Sequence, residues 1–181
     1  MGIVLDNVSF SYNNNEFITN MNLEIGSNKI TGIIGKSASG KTTLLELISG
    51  LIKPNKGRIL VDDLGINRKD IGIVFQNVED SFFNIYVRDE LKFALTNYNI
   101  NESKIFDVIK LVGLKEEILN KRIDELSNGE KRLIAILSVI IYNPKIILLD
   151  EPTIGLDYKN KKKIISLIKN LKNKYNKTII I

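Results

Sequence analysis

The chain has 181 residues, 44% hydrophobic and 26% charged, which fits one globular domain with a substantial core and excludes a disordered chain. With no cysteine there is no disulfide framework or thiolate metal site, and with no histidine the Ser-His-Asp and His-zinc hydrolases are excluded. The net charge of +5 arises from 26 basic against 21 acidic residues; these are mainly lysines spread along the chain, which suits an anionic ligand or membrane surface and not nucleic acid, where clustered arginine is expected.

The N-terminus, MGIVLDNVSF, carries no export signal, and Asp6 breaks the myristoylation pattern. Alternating apolar residues predict strands over Ile3–Tyr12 and Phe17–Ile25, and a short apolar strand over Lys29–Ile34 before a glycine-rich turn. A helix follows from about Lys41 to Ser49 with Gly50 as its C-cap, then strands over Arg58–Val61 and Ile71–Phe75. Between about residues 87 and 125 the texture turns helical, with Ile105, Val108, Ile109 and Val112 on one face, so this stretch reads as an α-helical insert. A helix over Gly129–Tyr142 is apolar almost all round, and Pro144 marks its end. Its least charged part, Leu133–Tyr142, is half the roughly 20 residues that span a membrane, so it reads as buried. A strand over Lys145–Leu149, a helix over Lys159–Asn173 with its lysines toward water, and an apolar strand over Thr178–Ile181 complete the chain. Ending on a buried strand leads to the expectation that the C-terminal end of the domain lies beyond residue 181.

The segment GKSASGKT, Gly35–Thr42, satisfies G-x-x-x-x-G-K-[ST] and stands between a predicted strand and a predicted helix, the context in which this pattern binds phosphate. Glycine-rich backbone turns its N–H groups onto phosphate oxygens, the helix N-terminus adds partial positive charge, and Lys41 places a full charge on the outer phosphates. Thr42 supplies a hydroxyl for Mg²⁺. The acid that completes such a site is expected at the end of a buried strand, where Ile146–Leu149 runs into Asp150 and Glu151. Asp150 is the second candidate for Mg²⁺; Glu151 is the candidate catalytic base for an attacking water.

With these residues in hand, the sequence resembles the ATP-binding subunits of ABC transporters from Ile3 to Ile181. The element that separates it from other phosphate-loop ATPases is LSNGE, Leu126–Glu130, which is similar to the family signature LSGGQ. The resemblance implies a fold of α/β class: a P-loop NTPase core in one ABC ATPase domain, with an N-terminal antiparallel β subdomain and the inserted α-helical subdomain. It implies ATP and Mg²⁺ as ligands, with Gly35, Lys36, Ser37, Ala38, Ser39, Gly40, Lys41, Thr42 and Thr43 around the phosphates. Tyr12 then corresponds to the aromatic residue that stacks on adenine, with a surface tyrosine at a strand end as the lesser alternative. Gln76 matches the glutamine that senses Mg²⁺ and the γ-phosphate, and its loop touches the membrane partner. Ser127 and Gly129 act in trans on the nucleotide of a second ABC ATPase, in a head-to-tail homo- or heterodimer; Asp157 matches an acid that crosses that interface, and alone it reads as a helix N-cap.

The segment Phe75–Leu95 looks most like the energy-coupling-factor and cobalt-type ATPases. That likeness implies a peripheral protein on the cytoplasmic face of the cell membrane, bound to transmembrane permease subunits and energising uptake of a vitamin or of cobalt or nickel. Two other readings share the motifs: a soluble ABC ATPase of the iron–sulfur assembly or translation-factor kind, and a nucleotide-binding fragment with little turnover, since the chain stops before the family's switch histidine. Three departures carry expectations. Ala38, where glycine is common, is tolerated if its φ is negative; Asn128 is expected to accept left-handed backbone; Glu130, in place of glutamine, is expected to set a carboxylate near the triphosphate and weaken closure.

Overall fold

The computed structural model describes residues 2–13 and 15–181. Strand β1 (Gly2–Tyr12) pairs antiparallel with β2 (Asn15–Gly26) on one edge and β4 (Lys56–Val61) on the other, and β4 pairs with the two-residue β5 (Leu64–Gly65). The second sheet is parallel, in the order β3 (Ile30–Thr31), β8 (Thr178–Ile180), β7 (Ile146–Leu149), β6 (Ile71–Val74). The fold is thus the expected α/β core with an antiparallel β subdomain.

Strand β7 explains how the layers join. All four of its residues are buried, as befits a parallel strand covered on both faces. Side chains alternate across a strand, so Ile147 and Leu149 enter one core while Ile146 and Leu148 enter the other. The first core is filled by α2 (Val87–Asn97), α3 (Lys104–Leu111), α4 (Asn128–Ile140) and α5 (Tyr158–Tyr175); the second by α1 (Lys41–Ser49) and the inner face of the antiparallel sheet. Each Ile or Leu so enclosed is worth about 1.5–3 kcal/mol.

The helical insert shares the first core instead of building its own. Its ends are pinned together: Val87 N–H donates to Lys121 O (3.1 Å), Ile123 N–H donates to Ile85 O (2.8 Å), and Tyr86 bridges to Arg122. Between these ends the chain can vary while entering and leaving the domain at one point.

Boundaries differ where propensity meets tertiary context. The strand predicted over Lys29–Ile34 is shorter, although Ile33 N–H still donates to Ile181 O (2.7 Å); the chain then turns into the glycine loop and leaves Ile34 98% exposed. Helix α4 begins one residue earlier and ends two earlier than predicted, because Ser127 caps it and Tyr142 turns away to stack on Tyr98 at 4.2 Å. No helix among the described residues is long and apolar enough to cross a membrane.

Candidate functional site

The loop from Gly35 to Gly40 links β3 to α1 at the C-terminal end of the parallel strands, where open α/β sheets bind ligands. Gly40, the N-cap of α1, has φ 92°, a conformation costly to any residue with a Cβ. Ala38 has φ 61°, so the condition on which its easy tolerance was expected is not met: this loop bends left-handed at an alanine, with backbone strain. Ser39 N–H donates to Lys36 O (3.2 Å), which tightens the loop around Ser37 and Ala38, and Thr43 begins the buried face of α1.

Five predicted side chains meet at one point. The Thr42 hydroxyl donates to Asp150 Oδ2 at 2.6 Å, joining the start of α1 to the end of β7. Gln76 Nε2, just past β6, donates to Glu151 Oε2 at 2.9 Å. Lys41 Nζ lies 3.7 Å from Glu151 Oε1 and donates to the carbonyls of Gly35 (3.2 Å) and Lys36 (3.1 Å). Asp150 is buried, and Glu151 is held at φ 46°, a strained backbone typical of a residue whose direction matters. The cluster offers a lysine, two carboxylates, a hydroxyl and an amide beside the glycine loop. Thr42 and Asp150 are hard oxygen donors brought to one point, and Mg²⁺ takes one or two such groups from a protein and the rest from phosphate and water. The donor set fits Mg²⁺.

Tyr12 lies beside the N-terminal half of α1. Its hydroxyl shares a hydrogen bond with Thr43 Oγ1 (3.2 Å) and donates to Glu46 Oε2 (3.4 Å), and its ring sits edge-on to Phe10 and Phe17 while remaining 44% exposed. It is therefore a braced aromatic ring with open surface, not a free strand-end tyrosine. Phe17, not singled out by the sequence, covers Gly40: a Cβ there would lie 2.9 Å from its ring.

Ser127, Gly129 and Asp157 gather elsewhere, where α4 meets α5. The side-chain hydrogen bonds of Ser127 and Asp157 run to Glu130 and Asn160, and none among the described residues joins them to the glycine loop. Two expectations change here. Asn128 is the first residue of α4 and has no left-handed backbone. Glu130 closes a capping box: its Oε2 accepts from Ser127 N–H (2.9 Å) and from the Ser127 hydroxyl (2.8 Å), which pulls its pKa below the ordinary glutamate value and commits the carboxylate to its own helix. Asp157 is indeed an N-cap, accepting from Asn160 N–H (2.8 Å), and its pKa is lowered for the same reason. Gly129 has no room for a side chain, since Asn160 lies 2.2 Å from where its Cβ would be.

Sequence reasoning missed Arg132 and Glu90. Arg132 reaches from α4 to the backbone of Phe75 and Gln76; its signal was a cation next to Lys131 where the apolar run of the helix begins. Glu90 is a buried carboxylate that organises residues 83 and 84, and nothing in the local pattern of α2 marks it.

Known proteins resemble this chain in sequence and fold. The family described as ABC transporter matches residues 18–154. The chain is 35% identical over its whole length to the energy-coupling factor transporter ATP-binding protein EcfA2 of Caldanaerobacter subterraneus subsp. tengcongensis, spanning 70% of that protein. It is 39% identical over 91% of its length to EcfA2 of Clostridium tetani, spanning 62% of that one. Among solved structures it resembles cbiO1 of Clostridium perfringens, part of the ABC transporter complex cbiONQ, with TM-score 0.86 and 30% identity over 99% of this chain and 76% of the other. It also resembles the ATP-binding cassette MJ0796, solved as a dimer bound to ADP and Pi, with TM-score 0.87 and 28% identity over 98% of this chain and 86% of the other.

Proposed function

The chain belongs to the ABC transporter family and is an ATPase that energises transport, and from this premise we propose that it works as one of two ATP-binding subunits beneath a membrane permease. The observation that carries the reading is the convergence of the glycine loop, Gln76, Asp150 and Glu151 through the Thr42–Asp150 and Gln76–Glu151 hydrogen bonds.

In this reading ATP enters with adenine against Tyr12, where ring stacking is worth about 1–3 kcal/mol. The loop N–H groups and the N-terminus of α1 take the phosphates. Lys41 exchanges the Gly35 and Lys36 carbonyls for the outer phosphate oxygens, a stronger partner for its charge. Release from Lys41 leaves the Glu151 carboxylate to accept a proton from the attacking water. That water's oxygen bonds to the γ-phosphorus as the bond to the bridging oxygen breaks, and ADP leaves with the electron pair. Gln76 fixes the direction of Glu151, and Thr42 and Asp150, with Gln76, are the residues that would hold Mg²⁺. Bound there, Mg²⁺ supplies neutralisation of charge on the phosphate oxygens. Ser127 and Gly129, at a helix N-terminus with partial positive charge, complete the nucleotide site of the second subunit in a head-to-tail dimer.

A groove of about 510 Å³ beside the Gln76 loop supports the membrane partner. Phe83, Phe93, Tyr98, Val139 and Tyr142 line it, and Phe83 is 77% exposed at its edge. An apolar groove of this kind suits a cytoplasmic segment of a permease. The energy-coupling-factor relatives and the cbiONQ complex support uptake of a vitamin or of a cobalt or nickel ion, with the protein peripheral at the cytoplasmic face and substrate choice left to the membrane subunits.

Phosphate release by the assembled protein, against Glu151→Gln, tests the chemistry. A loss of about 10²-fold or more is expected, the range for a general base, and equal rates refute the role of Glu151. Tagging the protein and identifying what co-purifies from solubilised membranes tests the partners: a multi-span protein with a second ATPase is expected, and soluble partners alone overturn the permease reading.

A further inference from the structure

We infer that Arg132 is a positioning residue that ties the N-terminal turns of α4 to the backbone of Gln76, so that the helix serving the second subunit's nucleotide also sets the glutamine serving this one's. The inference rests on the ATPase reading above and adds a residue that it did not use.

Arg132 lies one turn beyond Ser127 and Gly129 on α4, and only 6% of it is exposed. Strand β6 ends at Val74, so the carbonyls of Phe75 and Gln76 lie past its last ladder pair, Val74 with Leu149. Arg132 takes both: Nη1 donates to Phe75 O at 2.9 Å and Nη2 donates to Gln76 O at 2.6 Å. A planar guanidinium fixes the spacing and direction of two acceptors at once, which an ammonium cannot do. The neighbouring Lys131 pairs with Glu79 at 2.5 Å, so consecutive residues of α4 hold both ends of the loop from 75 to 79.

The arrangement is not merely a packed core. Its Nε has no hydrogen-bond partner among the described residues, and burial pushes the guanidinium pKa down, opposed by the Asp150 carboxylate. An apolar side chain would fill this space without that cost. What the arginine adds is direction: fixing the Gln76 carbonyl fixes its Cα, and with it the reach of Nε2 to Glu151. Any rotation of α4 that brings Ser127 toward a partner's nucleotide therefore pulls on Gln76. The two sites of a head-to-tail dimer are joined through one side chain.

Arg132→Lys and Arg132→Met, made in the complete protein with its partners, test this. Lysine keeps charge and length but reaches one carbonyl well, and methionine keeps only bulk. The expected result is ATP affinity within twofold of the parent for Arg132→Lys, a kcat lower by about tenfold, and a further drop for Arg132→Met. In a Glu151→Gln background, which stops turnover, ATP with Mg²⁺ is expected to protect amides 75–79 from hydrogen exchange less well when Arg132 is lysine. A kcat and loop protection equal to the parent in Arg132→Lys, counted per nucleotide-binding molecule, overturn the inference and leave Arg132 a filler. Should Arg132→Met not fold, Arg132→Lys decides alone. The ATPase reading is judged separately, by the parent against Glu151→Gln.

Discussion

Glu90 offers the sharpest test of how the groove side of this ATPase is held together. Its carboxylate is 4% exposed, and one oxygen, Oε2, accepts three donors at 3.0 Å each: Phe83 N–H, Asn84 N–H and Asn84 Nδ2. The segment so organised carries Phe83 to the edge of the groove. Hydrogen bonds to a charged group contribute about 1.5–3 kcal/mol each, against about 0.5–1.5 for neutral pairs. Glu90→Gln keeps the shape and one acceptor oxygen but turns three charge-assisted bonds into neutral ones. The summed loss is about 3 kcal/mol, reduced because a neutral amide is easier to bury than a carboxylate, so a net destabilisation of about 1–3 kcal/mol is expected. Glu90→Ala leaves two backbone N–H groups without an acceptor at about 1–3 kcal/mol each, and is expected to cost about 3–5 kcal/mol. Urea unfolding with a shared m-value measures both, and hydrogen exchange at residues 83 and 84 locates the effect. A Glu90→Gln protein within about 0.5 kcal/mol of the parent, or one less stable than Glu90→Ala, refutes the claim that charge on this oxygen organises the segment.

Three further outcomes follow from particular contacts. Ala38→Gly relieves a left-handed alanine worth about 1–2 kcal/mol, offset by about 0.4–1 kcal/mol of added chain entropy; melting without nucleotide is expected to show equal or higher stability, and a clear loss would mean the strain is absent. Gly129→Ala drives a methyl into Asn160 and is expected to destabilise by about 1–3 kcal/mol, with part recovered in the double variant with Asn160→Ala; no recovery would place the clash elsewhere. Ser127 holds the Glu130 pKa below its ordinary value of 4.5, so the capping box is fully present above that value and is lost as pH falls through the lowered folded pKa. Stability against pH is expected to drop more steeply in acid for the parent than for Glu130→Gln; parallel curves would show that the carboxylate is not coupled to folding.

Local pattern made much of this protein legible. Strict spacing marks Gly35–Thr42 because a phosphate loop needs glycine backbone, a lysine and a hydroxyl within a few residues, and the apolar run before Asp150 marks a strand buried on both faces. Signature, insert and capping signals are likewise carried within single segments, and the family membership they suggested is the one the comparisons show. The misjudged positions are those whose conformation depends on neighbours distant in sequence or on a fine choice of backbone. Ala38 has no local mark of a positive φ, and Glu130 reads as a charge beside a signature until the Ser127 geometry shows it turned onto its own helix.

What the sequence by itself determined is therefore the inventory: which residues can wrap phosphate, which acid ends which strand, and which family the chain resembles. What only the tertiary structure decided is how those pieces are held in register. The Thr42–Asp150 bond spans 108 positions, Gln76–Glu151 spans 75, and the Arg132 grip on Gln76 spans 56. Such contacts leave no periodic trace, because each depends on where the parallel sheet sets the ends of β6 and β7 and the N-terminal turns of α1 and α4, and a buried cation or carboxylate shows its purpose only once the carbonyl or N–H facing it has been brought there by folding.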